Sequence, residues 1–115
     1  MHPARPPEAT EMHRKLTGLG LIGRIEAALM TAPGAQEVTD LVCWVAQVDS
    51  GRLREFVIVA DFRRRVSNSG GRGRWYREQA EFAVSEDRPF GPMTLGLRLT
   101  TQEVAQVCAI AGSYG

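Results

Sequence analysis

The chain has little of what small proteins commonly use to declare a chemistry. Its 115 residues contain two cysteines, two histidines and a single lysine. Cys43 and Cys108 are far apart and each lies inside an apolar run, the setting of a thiol that packs as a small hydrophobe. Neither a disulfide framework nor a zinc site is expected from them, since a zinc site needs paired ligand spacing and His2 and His13 lie in or near the N-terminal lead-in. His13 has no nucleophile near it in sequence, and Ser50, Ser67, Ser69 and Ser85 lack the glycine pattern of a nucleophile elbow. No catalytic residue, metal ligand or cofactor is therefore assigned, and the expectation is a protein that is not an enzyme. No apolar run approaches the ~18 residues that would span a bilayer. The stretch Met1 to Glu8 has no apolar segment of the signal-peptide kind, so a cytoplasmic protein without a membrane partner is expected.

What is present is ordinary in amount and unusual in distribution. An apolar content of 43% and a charged content of 23% suit a soluble globular chain of one domain. Pro3, Pro6 and Pro7 mark residues 1–9 as a disordered or extended tail, leaving 10–115 as a single compact domain. The net charge of +1 conceals a strong segregation. Arg63, Arg64, Arg65, Arg72, Arg74 and Arg77 fall in a window, 63–77, that holds no acid, so this segment is +6 and the remainder is −5.

Thr10 to Lys15 has the start of a short helix, with Thr10 as N-cap. Leu21, Ile25, Ala28 and Leu29 recur at helical spacing until Pro33-Gly34 stops them. Over Ala35 to Val48, the residues Val38, Leu41, Val42, Val45 and Val48 form a one-sided stripe that predicts a helix. The rival is a hairpin turning at Asp49-Ser50-Gly51 between strands 41–48 and 53–60; the stripe favours the helix. Phe56 to Ala60 is β-branched at its centre and predicts a strand over 55–62 with both faces covered. Tyr76, Ala80, Phe82 and Val84 alternate with Arg77, Gln79, Glu81 and Ala83, which reads as a strand with Glu78 the exception on the inner face, a helix over 75–84 being the alternative. Residues 85–92 read as loop. Met93, Leu95, Leu97 and Leu99 alternate as a third strand, and Thr100 with Glu103 has the capping-box spacing of a helix over 101–111. The fold expected is α+β: two N-terminal helices, a three-stranded antiparallel meander and a C-terminal helix, the alternative being a mostly α chain.

The functional expectation rests on the basic segment. Ser67 to Gly73 has almost nothing to bury, so 63–74 reads as a mobile basic loop between two strands. It lacks the Gly-Lys-Ser/Thr ending and helix start of a phosphate loop. Arginine guanidiniums bind phosphate oxygens bidentately, and neighbouring aromatics stack on unpaired bases. Arg63, Arg64, Arg65, Arg72, Arg74, Trp75, Tyr76 and Arg77 are thus the candidate binding residues of a small nucleic-acid-binding accessory protein that contacts the backbone. The alternative is a protein-binding module or inhibitor that meets an acidic protein surface by charge complementarity.

Overall fold

A computed structural model describes residues 4–50, 53–84 and 94–114. Three helices, α1 (Ala9–Gly18), α2 (Leu21–Leu29) and α3 (Thr101–Gly112), accompany a sheet of β1 (Ala35–Ser50), β2 (Leu53–Val66), β3 (Arg74–Ala83) and the two-residue β4 (Thr94–Leu95). The sheet order is β1-β2-β3-β4, with β1 to β3 an antiparallel meander. This is the expected α+β arrangement, with helices before and after the meander. The strands that build it are placed differently along the chain.

The stretch 35–48, whose stripe predicts a helix, is the strand β1. Its register on β2 runs from Ala35 opposite Val66 to Ser50 opposite Leu53, so the hairpin alternative is the one the chain adopts. The physical reason lies in burial on both faces. Cys43, Trp44 and Val45 are consecutive and all buried, which a strand achieves between two covered faces and an amphipathic helix does not. Five valines and threonines in this segment suit a pleated surface better than a helix. The helical spacing is produced by a β-bulge: the register shifts between Thr39 and Val42, and Asp40 takes a positive φ of 56°. One extra residue at that point moves the apolar positions out of strict alternation.

β2 is the central long strand. Val57, Ile58, Val59, Ala60, Asp61 and Phe62 are all buried, so its middle is covered on both sides as expected. β3 forms where the sequence places a strand, but its burial is graded along its length rather than alternating: residues 74–77 are exposed, 78–81 half-buried, and Phe82 and Ala83 both buried. The third strand expected at 93–99 is reduced to β4, which lies parallel to β3. Met93 and the loop 85–92 lie outside the described residues. Leu99 is nevertheless buried in the core and Leu97 packs against it, whereas Leu95, the leucine in the ladder, is exposed.

Thr10 is not the N-cap of α1: the helix begins at Ala9 with Glu8 at the N-cap position and no side-chain cap, and the Ala9 N–H donates to the Pro6 carbonyl at 3.1 Å. Ala9, Met12 and Leu16 on α1, Leu21, Ile25 and Leu29 on α2, and Val107 and Ile110 on α3 are the buried faces, and all three helices pack against β1. The capping box forms as the spacing requires, with Thr100 and Glu103 exchanging bonds of 3.1 and 2.9 Å. Glu103 also pairs with Arg24 at 2.7 Å, tying α3 to α2. No helix among the described residues is long and apolar enough to cross a membrane.

Candidate functional site on the long hairpin

The arginine window does not form a free arm. Arg63, Arg64 and Arg65 belong to β2, Arg74, Trp75, Tyr76 and Arg77 belong to β3, and only 67–73 connects them. The antiparallel register places Arg65 opposite Trp75, Arg64 opposite Tyr76 and Arg63 opposite Arg77. Because strand side chains alternate, the seven of these residues that lie on strands are divided between two faces. Arg63, Arg65, Trp75 and Arg77 share one face; Arg64, Arg74 and Tyr76 share the other, and Arg72 lies in the connection.

Connection 67–73 is held at its base. The Gln36 side-chain amide donates to the Gly71 carbonyl at 2.9 Å and accepts from the Gly73 N–H at 3.1 Å. A Cβ on Gly73 would stand 2.9 Å from the Val66 carbonyl carbon, so only glycine lets the chain pass here. Gly34 meets a similar demand from β1's side: its φ is 79°, its carbonyl accepts from Ser67 N–H at 2.9 Å, and a Cβ would collide with the Ser67 carbonyl oxygen.

Most of the window's charge is matched by acids on neighbouring strands. Arg64 forms two bonds to Glu78, Arg65 lies 3.5 Å from Glu37, Arg63 lies 3.8 Å from Asp40, and Arg77 lies 3.3 Å from Asp61. Arg72 and Arg74 have no carboxylate within 4.0 Å among the described residues. They line a polar concavity of about 220 Å³ with Ser67, Asn68, Ser69 and Tyr76. Arg64 also donates to the Leu29 carbonyl at 3.0 Å, so it fastens the end of α2 to the sheet. Its place in the site is therefore structural as much as electrostatic.

The aromatic pair divides by face but not by access. Trp75 is 40% exposed and Tyr76 is 50% exposed, whereas Trp44 is a core residue. Trp75 lies beneath two cations, with the guanidinium carbons of Arg63 and Arg65 at 5.4 and 5.7 Å from the ring centroid. The ring is thus pre-oriented without being covered.

A second concavity opens on the Trp75 face. It has a volume of about 360 Å³ and is lined by Arg5, Asp40, Leu41, Val42, Asp61, Phe62, Arg63 and Arg77. Arg5, from the N-terminal lead-in, reaches Asp61 at 2.7 Å. The sequence reading assigned no binding role to Gln36, Asp40, Asp61 or Arg5; separated carboxylates such as Asp40 and Asp61 read as surface or capping groups. Gln36 carries no pattern signal, but an aspartate at the end of a β-branched apolar run was visible and reads most simply as a strand terminator. Among the described residues no three His, Cys, Asp or Glu side chains converge as a metal would require. Both cysteines are free thiols, and burial pushes the Cys43 thiol up to about 12.

The chain matches no protein-family model, no curated protein and no solved structure.

Proposed function

We propose that the protein is a non-enzymatic nucleic-acid-binding accessory protein that takes single strands on the exposed end of the β2–β3 hairpin. The observation that carries this reading is Trp75, a 40% exposed ring with the Arg63 and Arg65 guanidiniums over it, on the same hairpin end as Arg72 and Arg74, which share the Tyr76 concavity and have no carboxylate within 4.0 Å among the described residues. An unpaired base offers a face to such a ring, while a duplex keeps its faces stacked; base–aromatic stacking contributes ~1–3 kcal/mol per base. Phosphates would meet Arg72 and Arg74, with backbone contacts and no sequence readout.

Charge matching sets the size of the effect. Each phosphate contact on a single strand contributes about −0.7 to the slope of log K against log salt. Two unmatched arginines give a slope near −1.4, whereas all six acting together would give about −4. Fluorescence anisotropy with labelled single- and double-stranded DNA and RNA, across salt, measures this directly. The reading expects single strands preferred, a shallow slope, and a flatter one for Arg72→Ala/Arg74→Ala. Binding indifferent to both salt and those substitutions, or none at low salt, removes it. Recovery of one stoichiometric protein from nuclease-treated lysate, with no strand bound, would transfer the site to the alternative partner, an acidic protein surface.

A further inference from the structure

We propose a second, separate binding site: the cleft beside Asp61 takes a small molecule carrying an oxyanion, a carboxylate or a phosphate monoester. It stands on observations independent of the strand-binding reading.

Asp61 is the one buried charged residue among those described, 7% exposed. It continues the apolar run Val57 to Ala60, where another aliphatic residue would pack without needing a partner. Replacing a buried ion pair by apolar groups is often neutral or stabilising, so stability alone is a weak reason for this carboxylate. What Asp61 does is gather cations. Arg5 Nη2 and Arg77 Nη2 both donate to its Oδ2, at 2.7 and 3.3 Å, from positions 56 and 16 residues away in sequence.

The β1 bulge makes the space in front of it. Thr39 pairs with Arg63 and Val42 with Asp61, so Asp40 and Leu41 both stand opposite Phe62. The left-handed turn at Asp40 accommodates the additional residue, and the resulting cleft of about 360 Å³ falls within the ~300–1,000 Å³ of small-molecule sites. Its charged wall holds three guanidiniums against two carboxylates, a balance that favours an anion. Donor capacity is left over: the Arg77 side chain is 74% exposed, with Asp61 its one ion-pair partner among the described residues, and Arg63 approaches Asp40 only to 3.8 Å. Each guanidinium has five N–H donors in a planar fork suited to two oxygens of one oxyanion. Leu41 and Val42 supply apolar surface for the ligand's carbon body.

The oxyanion has two sources, a free metabolite or the terminal phosphate of a strand held at Trp75. Arg63 faces both the ring and the cleft, so the experiment must separate them. Side-chain Nε–Hε resonances of Arg63 and Arg77 would be followed by NMR during titration with inorganic phosphate and with acetate. Chloride at matched ionic strength is the control. The site expects saturable shifts with an oxyanion and none with chloride. Arg77→Gln, at an exposed position that leaves the fold intact, should weaken phosphate binding about 10-fold, the worth of one charge-assisted contact. Trp75→Ala and Arg72→Ala/Arg74→Ala should leave it unchanged, so loss of strand binding does not remove this site. Oligonucleotides with 5′-phosphate and 5′-hydroxyl ends then assign the source. Tighter binding of the phosphorylated strand points to a strand end, and equal binding with phosphate still bound points to a metabolite. Shifts that do not saturate, that chloride reproduces, or that survive Arg77→Gln undiminished overturn the proposal.

Discussion

Arg64 and Glu78, diagonal neighbours on one face of β2 and β3, are joined in a two-bond fork, Nε to Oε2 at 2.7 Å and Nη2 to Oε1 at 2.8 Å. Arg64 completes its coordination on the Leu29 carbonyl, and its guanidinium lies 5.6 Å from the Phe62 ring. The pair thus joins two strands and the end of α2 at one point. It also accounts for Glu78, the polar residue that interrupts the inner face of β3.

Removing one partner should therefore cost more than removing both. The Arg64 side chain is 16% exposed, so Glu78→Ala leaves a half-buried cation without its carboxylate. Glu78 itself is about one-third exposed, which moderates the loss to about 1–2 kcal/mol, or roughly 5–10 °C in Tm. The double variant Arg64→Met/Glu78→Leu should recover part of that in thermal denaturation. A single variant as stable as the parent would show the fork to be idle.

The His13 Nδ1 accepts the Cys43 N–H at 3.0 Å, which satisfies a donor on the outer edge of β1. Burial lowers the His13 pKa, favouring the neutral ring that this bond requires. The unfolded histidine titrates near about 6.5, so the unfolded chain takes up protons first as pH falls. The stability contributed by neutral His13 is complete above that pH and is lost as pH falls through the lower folded value. Urea denaturation between neutral and mildly acidic pH should show this decline, and His13→Ala should flatten it at a cost of about 1 kcal/mol at neutral pH.

The two thiols should differ in reactivity. Cys43 is fully buried and its pKa is pushed up to about 12 by desolvation, so almost no thiolate exists at neutral pH. Cys108 is only half-buried, and desolvation raises its pKa as well. A thiol reagent should label one cysteine slowly in the native protein and the second only on unfolding. Cys108→Ser should abolish native labelling, while Cys43→Ser should leave it in place.

The Gln36 clamp should control the hairpin tip. Gln36→Leu keeps the side chain's size but removes both bonds to the Gly71 and Gly73 backbone. Hydrogen exchange at the Gly73 amide and proteolysis within 67–73 should rise, with global stability lowered by about 1–2 kcal/mol. Gly34→Ala should cost more, because it combines left-handed backbone strain with a collision against the Ser67 carbonyl.

Sequence alone determined the elements whose signal is local. The apolar spacing of Leu21, Ile25 and Leu29, the Thr100–Glu103 box and the β-branched run at Val57 to Val59 each follow from interactions within a few residues. They appear in the structure as α2, α3 and β2. The eight candidate residues were likewise legible as a concentration of charge beside aromatics. Tertiary structure decided what depends on distant partners. Whether 35–48 is helix or strand turned on pairing with β2 and on a bulge at Asp40, because helical spacing and a bulged two-faced strand leave the same pattern of valines. The length of the last strand was decided the same way: Leu99 is buried without a ladder, while Leu95, which has one, is exposed. The charge balance of the basic window was tertiary too. Glu37, Asp40, Asp61 and Glu78 pair with arginines that strand register brings within reach, and so of a segment that is +6 in sequence only Arg72 and Arg74 are without a carboxylate partner among the described residues.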